Sequence, residues 1–70
     1  MTTGHTELRE WLHLIRGEFT EIPDLRLTQT QVEKLWGLEP TTAQAILGAL
    51  VDVGFLRKTR QGAYLRAGPA

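Results

Sequence analysis

The chain has 70 residues, no cysteine and a formal net charge of zero, which limits it to one domain without disulfides or thiolate metal sites. So short a chain buries only about 60% of its unfolded surface, and its stability must come from helix packing, a contact between copies, or both. The charge is unevenly spread: residues 1–40 carry four Lys/Arg against seven Asp/Glu, a net −3, whereas residues 41–70 carry four against Asp52 alone, a net +3.

Residues 6–19 hold the first helical pattern, with Leu8, Leu12, Ile15 and Phe19 at helical spacing. Thr6 is a suitable N-cap. Trp11 and Leu14 widen the apolar face beyond one stripe, and Gly17 weakens the pattern near its end. Residues 20–27, TEIPDLRL, read as a loop followed by a very short strand around Arg26 and Leu27. Thr28 and Gln31 form a capping-box pattern at the start of the second helix, with Leu27 and Val32 at the staple positions. Val32, Leu35 and Trp36 make its inward face, and Gly37 stops it in a left-handed conformation.

The third helix has two possible starts. Pro40 can be its first residue, or Thr41 can cap it with Gln44 completing a box. Ala43, Ile46, Leu47, Leu50 and Val53 follow the inward spacing, and Gly54 ends the helix. The period then changes from helical to alternating. FLRKTR and AYLRA are two short β-capable runs around Gln61 and Gly62, where Gly62 supplies the positive φ of a tight hairpin. Gly68, Pro69 and Ala70 read as a frayed end. No apolar run approaches the ~20 residues that span a bilayer, and MTTGHTELRE has no signal-peptide pattern. A soluble cytoplasmic protein is the expectation.

Helix, short strand, helix, turn, helix, hairpin is the element order of a winged helix-turn-helix. The resemblance lies in residues 27–67. It is carried by Gly37-Leu38, Thr41-Thr42, Ile46-Leu47, Leu50-Val51, Gly54-Phe55-Leu56 and Gly62-Ala63-Tyr64-Leu65. This stretch resembles the winged DNA-binding domains of bacterial transcriptional regulators of the isocitrate-lyase-regulator type. It also resembles the winged dimerisation modules of small-molecule O-methyltransferases, which pair subunits and do not bind DNA. The resemblance implies a mainly α fold of three helices plus a β-wing, occupying residues 1–70 as a single domain. Two departures stand out: the second helix is about two residues longer than in the regulators, and the third carries no Arg, Lys or His on its exposed side.

Thr41, Gln44, Ala45, Gly48 and Asp52 share one side of the third helix. In a groove-docked helix Gln44 can pair with adenine N6 and N7, while the methyl groups of Thr42 or Ala45 touch a thymine methyl. Gly48 allows close approach of a backbone, since an exposed helix-interior glycine otherwise costs up to about 1 kcal/mol relative to alanine. Arg57, Lys58, Arg60 and Arg66 lie within ten positions, with Gln61 at the hairpin tip. Alternation places Arg57 and Lys58 on opposite faces, so two or three phosphate contacts are the expectation, with a mild salt dependence. Zero net charge disfavours strong nonspecific DNA binding, and charge on an edge strand also serves to block aggregation.

Trp11 and Leu14 on the first helix are candidates for an isologous homodimer contact, which would double the phosphate contacts; the competing role for Trp11 is to cover the edge of the core. His5 and His13, without cysteine or a carboxylate cluster nearby, make a poor metal site and read as surface residues. The chain has no serine and no glycine-rich phosphate loop, and its carboxylates are scattered on solvated helix faces, so nothing supports catalysis, a cofactor or a small-molecule substrate.

Two functional expectations follow. In the first, the chain is a DNA-binding transcriptional regulator: Thr41, Thr42 and Gln44 face bases, Arg57, Lys58 and Arg60 hold the backbone, and Thr28 and Gln29 donate to phosphate. In the second, it is a protein-interaction module whose small-residue face around Ala45, Gly48 and Ala49 accepts a partner helix.

Overall fold

A computed structural model describes residues 4–68, with side chains from Leu8 onward. The chain order is α1 (Gly4–Glu21), β1 (Leu27–Thr28), α2 (Gln29–Trp36), α3 (Pro40–Asp52), β2 (Leu56–Lys58) and β3 (Ala63–Arg66). The fold is mainly helical with a small antiparallel sheet. Its three strands lie in the order β1-β3-β2, with Leu27 opposite Tyr64, Arg57 opposite Leu65 and Lys58 opposite Tyr64.

The first helix exceeds its apolar pattern at both ends. It begins at Gly4, so Thr6 lies in its first turn and does not cap it. It also continues through Gly17, because Phe19 beyond it is fully buried and anchors the last turn. Pro23 has no N–H to extend the ladder, and the chain instead turns, with the Leu25 N–H donating to the Ile22 carbonyl at 2.9 Å.

The second helix starts as its local sequence dictates. The Thr28 hydroxyl accepts from the Gln31 N–H at 3.2 Å, and the Thr28 N–H donates to Gln31 Oε1 at 2.9 Å. Gly37, at φ 63° and ψ 38°, closes it. The short strand sits one residue later than the pattern suggests, at Leu27–Thr28, because its register is set by Ala63 and Tyr64 far along the chain.

Pro40 is the first residue of α3, and Glu39 precedes it without a side-chain cap bond. The alternative start, with Thr41 capping and Gln44 completing a box, is not used. At the far end the Gly54 N–H donates to the Val51 carbonyl and the Phe55 N–H to the Leu50 carbonyl, each at 2.9 Å. These bonds satisfy carbonyls that the helix leaves open, and they need the left-handed backbone that Gly54 adopts at φ 82°.

One apolar cluster holds the elements together. Ile15 and Phe19 from α1, Val32 from α2, and Ala43, Ile46 and Leu47 from α3 are fully inaccessible, and Leu27, Leu50, Leu56 and Tyr64 complete the cluster. Three residues assigned inward by spacing lie elsewhere. Leu35 is 61% exposed, because the inward side of α2 turns toward Gln29, Glu33 and Trp36. Val53 is 75% exposed, because α3 ends at Asp52 and Leu56 takes the next core position. Leu8 remains 39% exposed at the edge of the α1 stripe. Among the described residues no helix is long and apolar enough to cross a membrane.

Candidate nucleic-acid interface

The outer side of α3 is built by subtraction. Ala43, Ile46, Leu47 and Leu50 point into the core, which leaves Thr41, Gln44, Ala45, Gly48 and Asp52 exposed along the opposite side. That surface is neutral except for Asp52 at its end. Among the described residues, apart from the backbone of α3 itself, nothing lies within 4 Å of where a Cβ at Gly48 would be, so no contact among them requires glycine there.

Thr42 is half-buried and points to one flank. With Thr41 and Ala45 it lines an open groove of about 440 Å³ closed on the far side by Leu8 and Trp11 of α1 and by Leu38 of the α2–α3 turn. Trp11 is half-buried and packs against the core of its own chain. Leu14 is 46% exposed. The two residues assigned to a dimer contact therefore differ: Trp11 is partly used within the fold, and Leu14 is open.

At the other end of α3 the chain enters the hairpin. The Thr59 N–H donates to the Ala63 carbonyl at 2.8 Å, and the Gly62 N–H donates to the Thr59 carbonyl at 3.0 Å. The Thr59 hydroxyl also accepts from the Ala63 N–H at 3.1 Å. Arg60, Gln61 and Gly62 thus form a three-residue tip, with Gly62 at φ 87°. Arg57, Lys58, Arg60 and Gln61 are all exposed.

The four basic side chains of the hairpin divide into two kinds. The Arg66 guanidinium carbon lies 5.1 Å from the centre of the Phe55 ring, and Arg16 from α1 lies at the same distance from that ring. Arg66 is half-buried there and joins the hairpin to α1. Lys58 Nζ lies 5.6 Å from the Tyr64 ring centre, directly across the strand pair, but its side chain remains exposed. Three cations are thus left on the accessible surface of the hairpin.

At the start of α2, Thr28 and Gln29 are occupied within the fold. Both capping-box bonds use Thr28. The Gln29 amide nitrogen donates to Glu33 Oε2 at 3.0 Å and to the Pro40 carbonyl at 3.4 Å, tying α2 to the first turn of α3. The Gln29 side chain positions α3 and the Thr28 hydroxyl caps α2, and what remains for an anion is the first-turn N–H groups other than that of Gln31.

His13 is exposed, the side chain of His5 lies outside the described residues, as do Pro69 and Ala70, and no metal-ligand cluster occurs among the described residues. A second groove was not legible from the hydrophobic pattern. Arg9, His13 and Arg16 border it on α1, and Ala49 and Val53 line it on α3. The available signal was the i, i+4, i+7 spacing of the three basic residues. No family model, curated protein or solved structure matches the chain.

Proposed function

We propose that this chain is a winged helix-turn-helix protein that binds double-stranded DNA and regulates transcription. The observation that carries the reading is the exposed outer side of α3 next in the chain to a hairpin with three accessible cations. In this reading α3 enters the major groove. Gln44 reads a base edge, Thr41 and Ala45 offer methyl groups, and Arg57, Lys58 and Arg60 neutralise phosphates. Thr42 contributes from the flank, and Gln61 reaches the backbone from the hairpin tip. The absence of cations on α3 makes base contacts a matter of hydrogen bonding and shape, and leaves affinity to the hairpin. Pairing of two copies through α1, with Leu14 at the contact, would supply a second half-site.

The experiment is duplex binding by the intact chain carrying Arg57→Ala, Lys58→Ala and Arg60→Ala together. All three residues are exposed, so the circular dichroism spectrum should be retained and DNA binding lost. Undiminished binding by the triple variant would remove the hairpin from the interface.

A second reading is favoured by one specific observation, the neutral small-residue surface around Ala45, Gly48 and Ala49. There the same fold serves as a scaffold that accepts a partner helix, and DNA is not bound.

A further inference from the structure

The groove between α1 and the C-terminal half of α3 lies outside the surface assigned above to DNA. Its floor is apolar: Leu12 and Ala49 are half-buried, and Val53 stands 75% exposed at its end. Its rim is basic, because Arg9, His13 and Arg16 follow one another at helical spacing and are all exposed. Among the described residues no carboxylate lines it, and its volume of about 290 Å³ is ample for an aliphatic side chain. Arg16 is steadied at the rim by the Phe55 ring, 5.1 Å from its guanidinium carbon.

The opposite kind of surface stands at the C-terminal end of α1. Ile22 is 47% exposed, with exposed Glu21 and Asp24 on either side of it and Pro23 between. Two backbone bonds hold this turn: the Ile22 N–H donates to the Glu18 carbonyl at 3.0 Å, and the Ile22 carbonyl accepts from Leu25 at 2.9 Å. The result is an ordered apolar tip between two carboxylates.

We propose that the groove receives the Glu21–Asp24 turn of a second copy of the chain. Ile22 covers Val53 and Ala49, while Glu21 and Asp24 meet Arg9 and Arg16. Apolar contact on the floor distinguishes this occupant from a phosphate backbone, which has no side chain to place there. The two surfaces differ, so the contact repeats head to tail unless a two-fold axis closes it, each turn then entering the other copy's groove. It is small, so the association is weak, and its ionic part is screened by salt. The inference does not depend on the base and phosphate contacts of the DNA reading, and it replaces Leu14 as the place where two copies meet.

The test uses the full ¹⁵N-labelled chain at low salt, diluted from about 1 mM to about 0.05 mM, the range in which weak contacts dissociate. The amide signals of Leu12, Ile22, Ala49 and Val53 should shift with concentration, and translational diffusion should slow at the upper end. Ile22→Asp and Val53→Asp, both at exposed positions, should each remain monomeric. Mixed in equal amounts they restore one intact contact and form a heterodimer and nothing larger. The proposal is overturned by concentration-independent spectra, by association that persists in both variants, or by association lost on Leu14→Asp. Signals of Ala49 and Val53 that move only on addition of duplex DNA overturn it as well and assign the groove to nucleic acid.

Discussion

Arg66 sits over Phe55, its guanidinium carbon 5.1 Å from the ring centre, and is thereby separated from the other basic residues of the hairpin. A cation held over an aromatic face at a partly exposed site contributes about 0.5–1 kcal/mol. Arg66→Ala should therefore lower thermal stability by about that amount and leave DNA affinity nearly unchanged. Arg60→Ala at the exposed tip should do the reverse, weakening all DNA sequences alike with no loss of stability. Melting curves and duplex titrations of both variants check the division, and equal effects on DNA would contradict it.

Gly48 offers a cleaner separation of fold from function. Among the described residues, apart from the backbone of α3 itself, nothing lies within 4 Å of a Cβ placed there, so Gly48→Ala should stabilise the helix by up to about 1 kcal/mol. A gain in Tm together with weaker DNA binding would show that a partner approaches this backbone. A gain in Tm with unchanged binding would take Gly48 out of the contact surface.

Thr28 tests the start of α2. Thr28→Ala removes the hydroxyl that accepts from Gln31, and such a loss costs typically about 1 kcal/mol. In a domain of this size the melting temperature should fall by roughly 4–8 °C. Because Gln29 ties the same turn to the start of α3 through the Pro40 carbonyl, the variant should also loosen α3. Hydrogen exchange should quicken at Ala43, whose N–H donates to the Glu39 carbonyl at 2.9 Å, and unchanged exchange there would sever that link.

These examples also show where sequence reading succeeds and where it fails. The Thr28–Gln31 box and the Gly37 stop were legible because each is decided within four residues. The buried residues of α3 were legible because helical spacing alone selects them. Leu35 was misplaced because the width of an inward face depends on what packs against it, and Val53 because α3 ends one residue before it. The position of β1 depended on pairing with Ala63 and Tyr64, and the withdrawal of Arg66 on a ring packed by α1. Neither long-range relation leaves a local pattern. On α3, the exposed positions were legible but the flank occupied by Thr42 was not, since it is defined by Leu8 and Trp11 across the groove.

Gln44 carries the claim of base readout. It is exposed on the outer side of α3, and a bidentate amide–adenine contact is worth about 1–3 kcal/mol of discrimination. Gln44→Ala should relax preference at one base pair by that amount in a selection on randomised duplexes. A uniform loss across all sequences would reassign Gln44 to a general contact.

The most direct measurement is fluorescence anisotropy of random duplex DNA titrated with the intact chain at low salt and again at higher salt. With Arg57, Lys58 and Arg60 as the phosphate contacts of each copy, log K should fall against log salt with a slope of about −2 to −3 per bound copy. No binding at low salt would contradict the DNA reading and leave the fold as a protein-interaction module.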